Sequence, residues 1–318
     1  MAGKTKKPPA AKWVDAVGGY LQNIKLRRSG HTWTNYASDL VDFAKWYDTH
    51  NDPKLELVSD VTAVDLLGWQ KDIELRPGRE FKDRPRGQTM PATINRKLAA
   101  VHSFLKWAAS MGSVPGAAER PDMAERQALA PRWLDEKEQH RLKKALEMKG
   151  EKLHQGLILF DMHTGLRCAE LAALLWSDIT IGERKGSARV RRGKGSKLRE
   201  VPLGCEARHA LELVGSPGLV GTQGPVFVGR HGGLSERGIR FIVEYYADLA
   251  RLPELTCHVL RHTFAKNFLL DGHTLEQLAR ILGHEDMNTT RIYVEASLQE
   301  LQDAVEYMGR RKRAKSTG

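Results

Sequence analysis

The chain has 318 residues, of which 41% are hydrophobic, and a formal net charge of +11. This length exceeds that of a typical single domain and predicts two, and the lack of any apolar run of about 18–20 residues argues against a transmembrane helix. Three widely spaced cysteines argue against a disulfide framework and favour a reducing compartment, and the basic N-terminus lacks the apolar run of a secretory signal. We therefore expect a cytoplasmic, nucleoid-associated protein.

Most of the excess positive charge lies in two tails. Residues 1–12 contain four lysines and no acid, and residues 310–318 contain five basic residues and no acid. A basic chain suggests a polyanionic partner such as nucleic acid, but tails of this kind are common as solvated segments. Basic residues inside the folded body are therefore the better indicator of DNA binding.

Residues 13–111 are predicted to form an all-helical domain. A first helix is placed at about 12–25, and a second begins near Thr32, a plausible N-cap. A third is placed at about 60–74, and after a charged loop at 77–91 a fourth begins at Pro91 and ends at Gly112. Apolar residues at three- and four-residue steps predict their inward faces. Those residues are Trp33, Tyr36, Leu40, Phe43 and Tyr47, then Val61, Val64, Leu67 and Ile73, then Ile94, Leu98, Val101, Leu105 and Ala108.

Residues 112–131 contain prolines and glycines without apolar periodicity, which is typical of an interdomain linker. The second domain is predicted at 132–309, with helices at about 134–148 and 151–163 and a short buried helix at 169–176. Alternating residues in 188–192 and 197–202, joined by a glycine turn, predict a β-hairpin. From about 235 onward we expect five or six helical segments.

The second domain contains a set of arginines, histidines, a lysine and a tyrosine that fits phosphoryl transfer to a tyrosine hydroxyl. In chain order the segments are 164–167 (Thr-Gly-Leu-Arg), 193–195 (Gly-Lys-Gly), 258–263 (His-Val-Leu-Arg-His-Thr), 282–284 (Leu-Gly-His) and 289–293 (Thr-Thr-Arg-Ile-Tyr). A phenol with a pKa of about 10 is mostly protonated at pH 7, so Tyr293 needs help to become a nucleophile. Arg167 and Arg261 are candidates to stabilise charge on the phosphate oxygens, because a guanidinium binds two oxygens at once and stays charged.

The remaining groups fit proton transfer. Lys194, at the predicted hairpin tip, is placed to protonate a leaving 5′ oxygen as general acid. His258 is a candidate either to take the proton from Tyr293 or to bond a phosphate oxygen, and His284 is a further donor.

Each of these residues also has an ordinary structural explanation when taken alone. A tyrosine on a helix usually packs, and Gly-Lys-Gly is common in turns. A zinc site would use Cys257, His258, His262 and His284, but Arg261 would place a permanent cation beside the metal. The joint occurrence of all six groups in this order favours the catalytic interpretation.

Three segments carry a family resemblance: 164–171 (Thr-Gly-Leu-Arg-Cys-Ala-Glu-Leu), 258–265 (His-Val-Leu-Arg-His-Thr-Phe-Ala) and 282–293, which ends in Arg-Ile-Tyr. They resemble the tyrosine recombinase (phage integrase) family, whose catalytic motifs cover about 155–295, and the N-terminal domain resembles the family's core-binding domain more loosely. The resemblance places the catalytic roles on Arg167, Lys194, His258, Arg261, His284 and the nucleophile Tyr293. Lys197 is a rival for the lysine role, because hairpin register is not fixed by sequence.

The resemblance implies a mainly α fold: a SAM-like helical bundle, plus a mixed α/β catalytic domain with a small antiparallel sheet, forming a C-shaped clamp around DNA. It also implies strand exchange without metal or nucleotide cofactor, through a 3′-phosphotyrosyl link. Double-stranded DNA is then the partner of a homo-tetramer that holds two sites and passes through a four-way junction. Segment 297–308 would dock on a neighbouring protomer, although its apolar face equally fits a helix packed on its own domain. Accessory DNA-bending proteins are retained as additional partners.

Seven basic residues in the body are expected to contact DNA phosphates, although a solvated surface is an alternative for each. They are Arg96, Lys97, Arg189, Arg191, Arg192, Lys197 and Arg199. Two other functions remain open. One is a type IB topoisomerase, which uses the same nucleophile as a monomer, and the other is a DNA-binding accessory protein with a vestigial site.

Overall fold

The structure is a computed structural model that describes residues 11–27, 30–77, 89–114, 116–124, 131–191, 198–215, 217–283 and 290. The chain divides into two compact units, Met1–Ala128 and Leu129–Gly318. Each unit has its own apolar core. Of the helices in these ranges, none is both long and apolar enough to cross a membrane.

The first unit is helical in the described residues, as predicted. Its helices are α1 (Trp13–Arg27), α2 (Gly30–His50), α3 (Ala63–Leu75) and α4 (Pro91–Ser110), with a 3₁₀ turn at Val58–Asp60. Aromatic rings join them: Trp13 meets Phe104 edge-on at 4.8 Å between ring centroids, and Phe43 meets Trp69 at 5.1 Å. The predicted inward residues of α4 are all buried, and Pro91 occupies its first turn.

The predicted inward face of α3 is only half right: Val61, just before the helix, and Ile73 are buried as predicted, but Val64 and Leu67 are not. Val64 and Leu67 are 77% and 43% exposed, whereas Leu66, Trp69 and Ile73 form the buried face. The helix begins after Thr62, whose hydroxyl accepts from the Asp65 N–H, so its first turn lies later than predicted. From that start the three- and four-residue steps run through Trp69, the largest apolar side chain of the segment. Trp33, also expected inside, is 36% exposed near the start of α2.

In its described residues the second unit surrounds a mainly aliphatic core with seven helices. They are α5 (Glu136–Lys149), α6 (Lys152–Thr164), α7 (Cys168–Ala173), α8 (Cys205–Val214), α9 (Glu236–Ala250), α10 (Cys257–Leu270) and α11 (Leu275–Leu282). Helix α6 packs against α8 and α10. The predicted helix at 169–176 is shorter than expected, since the chain leaves α7 at Leu174 and forms a 3₁₀ turn at Trp176–Asp178.

A three-stranded antiparallel sheet, in the order β1–β2–β3, lies in this unit. Its strands are β1 (Ile179–Ile181), β2 (Gly186–Val190) and β3 (Arg199–Pro202), and a second, two-stranded sheet joins β4 (Val228–Gly229) to β5 (Gly232–Gly233). The β2–β3 pairing confirms the predicted hairpin, with Val190 opposite Arg199. Strand β1, helix α8 and the second sheet were not predicted. The strands are too short to show a period, whereas α8 was overlooked although Ala207, Ala210, Leu211 and Val214 recur at three- and four-residue steps. The mainly α fold with a small antiparallel sheet is confirmed.

Candidate active site

Arg167 is positioned by a turn that only glycine fits. Helix α6 ends at Gly165, which has a φ of 60° and whose N–H bonds the Asp161 carbonyl. A Cβ at this position would collide with the ring of Phe264. The turn buries Leu166 and places Arg167 as the N-cap of α7. The Thr-Gly-Leu-Arg segment therefore has a structural reason for its glycine as well as a candidate catalytic arginine.

Glu170, three residues after Arg167, is a buried carboxylate that binds two arginines. It accepts from the Arg167 N–H at 2.8 Å and from Arg167 Nη1 at 3.0 Å. Arg199, from β3, donates Nη1 and Nη2 to the two carboxylate oxygens at 2.8 and 2.7 Å. Its Nε donates to the Ile281 carbonyl at the end of α11, also at 2.8 Å. The Glu170–Arg199 ion pair thus joins α7 to β3, and Arg199 joins both to the end of α11.

The charge balance around Glu170 favours its ionised form. Burial would raise the pKa of this carboxyl, but hydrogen bonds from Arg199 and Arg167 and the charges of both side chains lower it overall. Sequence reasoning missed Glu170, although a glutamate at the third position after the N-cap has capping-box spacing.

Arg261 lies inside the protein, 3% exposed, on the turn of α10 that follows His258. Its Nη1 donates to the Gly165 carbonyl, and its Nη2 donates to the Leu282 carbonyl at 2.9 Å. Both acceptors belong to backbone segments that lead to candidate catalytic residues, Arg167 and His284. Arg261 therefore connects α10 to the Arg167 turn and to the end of α11.

Asp161 is a second buried acid near these groups, 1% exposed. Neither of its carboxylate oxygens has a hydrogen-bond partner within the described ranges. Burial raises its pKa well above the ordinary value, and the nearby charge of Arg261 opposes this only in part.

His258 and Arg167 line one cleft of about 440 Å³. His258 is exposed to solvent there, and its ring lies 5.3 Å from that of His262, edge to face. Partial burial and the charges of Arg261 and Arg167 lower the pKa of His258, so its ring is neutral at pH 7. A neutral imidazole can accept a proton or donate one hydrogen bond.

The other three predicted catalytic residues, Lys194, His284 and Tyr293, lie outside the described residues. The elements that flank two of them are described: β2 and β3 on either side of 192–197, and α11, which ends at Gly283 directly before His284. The role of each of these residues stays a prediction, as does the docking of segment 297–308.

Of the seven predicted DNA contacts, Arg192 and Lys197 also fall outside the described residues. Arg189 is exposed on β2. Of the neighbouring residues Arg96 and Lys97 on α4, only Arg96 is exposed. Lys97 is 18% exposed and its Nζ contacts Asp42 at 2.8 Å.

Besides Lys97, three of these basic side chains form ion pairs. Arg96 pairs with Asp39 and Arg191 with Asp178, both buried carboxylates. Arg199 is 12% exposed and directed at Glu170, which argues against a phosphate contact. The sequence did not reveal these ion pairs, because each carboxylate lies in a different segment of the chain from the arginine that it binds.

The zinc alternative receives no support from the described part of the chain, where no three His, Cys, Asp or Glu side chains are grouped as metal ligands. The fourth proposed ligand, His284, lies outside it.

Comparison with known proteins gives consistent matches. Residues 132–300 match the Phage integrase family. The tyrosine recombinase XerC of Xanthomonas campestris pv. campestris (strain B100) is 30% identical over 321 residues, covering 98% of this chain and 94% of the relative. The XerH site-specific recombinase bound to difH substrate has a TM-score of 0.62 at 20% identity, covering 86% of this chain and 78% of its own. A lambda integrase tetramer bound to a Holliday junction has a TM-score of 0.64 at 15% identity, covering 90% and 78%.

Proposed function

Because the chain belongs to the phage integrase family, we propose that it is a tyrosine site-specific recombinase, which cuts and rejoins DNA through a covalent 3′-phosphotyrosyl intermediate. The observation that carries this is the convergence of Arg167 and His258 on one cleft, with Arg261 directly behind them. The recombinase names of the relatives do not favour the topoisomerase alternative.

The described residues supply charge and a base around a scissile phosphate. Arg167, 38% exposed at the cleft, offers its remaining N–H groups to the non-bridging oxygens. Arg261 adds a fixed positive charge beneath them, where exclusion of water strengthens its effect. His258, neutral at pH 7, accepts the proton of Tyr293 or bonds a phosphate oxygen.

The residues outside the described ranges complete the reaction. Tyr293 attacks phosphorus, the P–O bond to the 5′ oxygen breaks, and Lys194 gives that oxygen its proton while His284 donates to the phosphate. The 5′ hydroxyl of a partner strand then attacks the phosphotyrosyl link and releases Tyr293. One phosphodiester is broken and one formed, so no external energy source is required.

The assembly belongs to the same proposal. A lambda integrase structure with a similar fold is a tetramer on a Holliday junction. We propose a tetramer on two DNA sites here, with segment 297–308 docked on a neighbouring protomer. Recombination of chromosomal or mobile-element DNA places the protein in the cytoplasm.

Covalent capture tests the nucleophile. The full-length protein is incubated with fragmented genomic DNA of its source organism and denatured in detergent, and the linked DNA is trimmed with nuclease and sequenced. We expect a nucleotide adduct on the peptide that contains Tyr293, no adduct in Tyr293→Phe, and an undiminished adduct in the matched control Tyr245→Phe, which alters an exposed tyrosine of α9. Adducts that persist in Tyr293→Phe would overturn the assignment.

A leaving-group substitution tests the general acid. Lys194→Ala is expected to slow cleavage of a normal substrate by roughly 10²–10⁴-fold, the usual contribution of a general acid. A 5′-thiol leaving group needs no proton, so it restores the rate. If Lys197→Ala shows the rescue instead, the role passes to Lys197, and rescue of neither variant refutes acid catalysis by this hairpin.

A further inference from the structure

Two cysteines stand at the edge of the candidate active site, and the proposed reaction uses neither of them. Cys168 directly follows Arg167 and is the first residue of α7, and Cys257 directly precedes His258 and is the first residue of α10. Both line the same cleft of about 440 Å³ as Arg167 and His258. The fold thus brings together two thiols that are 89 positions apart in the sequence.

The two thiols lie close enough to perturb each other, since each cysteine shifts the pKa of the other. The Cys168 thiol donates to the Glu236 carbonyl oxygen at 3.4 Å, and Cys168, Glu236 and Cys257 line the same cleft. Both cysteines are free. Cys168 is half-buried and opens onto the cleft, whereas Cys257 is 8% exposed behind it. The third cysteine, Cys205, is exposed at the start of α8 and does not line this cleft.

The environment makes the two thiols unequal. The hydrogen bond from Cys257 and the charge of Arg240 lower the pKa of Cys168, against the opposing effects of partial burial and Glu236. Cys257 donates that hydrogen bond and is more deeply buried, so its own pKa is raised. A partly exposed thiol with a lowered pKa beside a second thiol is the arrangement in which oxidation to a disulfide is favoured.

We propose that Cys168 and Cys257 form an oxidation site, at which a peroxide converts the two thiols to an intramolecular disulfide beside the catalytic residues. The Cys168 sulfur attacks one peroxide oxygen, the O–O bond breaks, and the released hydroxide takes the thiol proton to form water. The Cys257 sulfur then attacks the resulting sulfenic acid, the S–O bond breaks, and a second water leaves with the Cys257 proton. The thiols lose two electrons and hydrogen peroxide gains them.

The cross-link acts on the cleft through the backbone. A disulfide holds its two sulfurs at about 2.05 Å and its two Cα atoms at roughly 4.4–6.8 Å. It would therefore fix the first residues of α7 and α10 relative to each other, and these residues are the neighbours of Arg167 and His258. Because catalysis tolerates little misplacement of such groups, we expect the oxidised protein to cleave DNA at least roughly tenfold more slowly. This second part rests on the proposed recombinase function, whereas the disulfide itself does not.

Peptide mapping tests the cross-link independently of any activity. The full-length protein is treated with hydrogen peroxide, alkylated, and digested without reductant. We expect one peptide pair joined through Cys168 and Cys257, with Cys205 alkylated. Cys205→Ser retains the pair, and Cys168→Ser and Cys257→Ser each lose it. A protein whose three thiols all remain alkylated, or in which Cys205 is a partner, overturns the proposal.

The effect on catalysis is measured as covalent DNA capture by the oxidised protein relative to the same protein after reduction with dithiothreitol. Wild type and Cys205→Ser are expected to lose capture on oxidation and regain it on reduction, whereas Cys168→Ser is insensitive. A cross-linked protein with undiminished capture refutes the inhibitory role. Reduced wild type that captures no DNA refutes the recombinase function instead, and leaves the mapping result unaffected.

Discussion

Replacement of Arg199 by methionine probes the buried charge at the centre of the site. Glu170 is 2% exposed and would lose the two hydrogen bonds, at 2.7 and 2.8 Å, that Arg199 gives it, while the Ile281 carbonyl would lose a third. Methionine keeps most of the apolar stem, so the change mainly removes the charge. Leaving one member of a buried ion pair without its partner costs about 3–5 kcal/mol of unfolding free energy. Because Arg167 still pairs with Glu170 at 3.0 Å, we expect a loss of about 3 kcal/mol, at the lower end of that range.

Equilibrium urea unfolding of the full-length chain measures this loss of unfolding free energy. Hydrogen exchange of the α6 amides then shows whether the loss arises in the unit that holds the site. The matched control is Arg240→Met, which removes an exposed pair with Glu236 in which the two side chains are 56% and 32% exposed. Such surface pairs contribute up to about 1 kcal/mol. A loss for Arg199→Met no larger than that for Arg240→Met would refute the central role of Glu170.

The pH dependence supplies an independent check of sign. In the wild type the pKa of Glu170 is below its ordinary value of 4.5, so the pairing stabilises the fold above that pH and the stabilisation is lost as pH falls. In the Arg199→Met variant, Arg199 no longer offsets the effect of burial, so the pKa of Glu170 rises. As the pH falls, protonation of Glu170 removes the buried charge that destabilises the variant. The difference in unfolding free energy between wild type and variant therefore becomes smaller at low pH. A gap independent of pH would contradict this account.

Three further predictions concern single residues. Gly283→Ala should lower the unfolding free energy, measured in urea, by about 2–3 kcal/mol, because the residue has a φ of +66° and an added Cβ would also meet Arg199 at 2.9–3.0 Å. The control Gly150→Ala has a φ of +67° but open space around it, and should cost about 1 kcal/mol. Equal losses for the two variants would argue against the contact with Arg199. His262 has a pKa lowered to about 4, mainly by burial, so the stability it confers is complete above its ordinary pKa of 6.5 and declines between there and pH 4. His262→Gln should flatten that decline, and an unchanged profile would exclude His262 as its source. Thr62→Ala should cost about 1 kcal/mol through the lost cap of α3, seen as faster hydrogen exchange at the Asp65 amide, and unaltered exchange there would dismiss the capping role.

The sequence predicted the elements with strong local signals. Helix α4 was placed correctly because proline marks its start and its apolar residues keep one phase over five turns. The α3 face was misjudged because its apolar residues fit two phases, and only packing of Trp69 in the core selects one of them. Short elements such as β1 carry too few residues for a period to be recognised.

Within the site, the sequence revealed residue types but not their partners. Arg167, His258 and Arg261 were recognisable from motifs, whereas the ion pairs of Arg199 with Glu170 and of Arg191 with Asp178 depend on contacts between distant segments. A basic residue on a strand that is predicted to be exposed therefore has the same sequence pattern whether it binds a phosphate or a buried acid. Only the tertiary structure distinguishes a phosphate-binding residue from one that pairs with a buried acid.

Helix α11 is fastened by few contacts. Leu278 and Leu282 join a small apolar cluster with Ala265, and Ile281 packs against the main core. The carbonyl groups of Ile281 and Leu282 accept from Arg199 and Arg261. An element of eight residues held in this way can open locally at a free-energy cost well below that of global unfolding. Local opening of this one helix would therefore release Arg199 and Arg261 from their backbone acceptors while the rest of the unit stays folded.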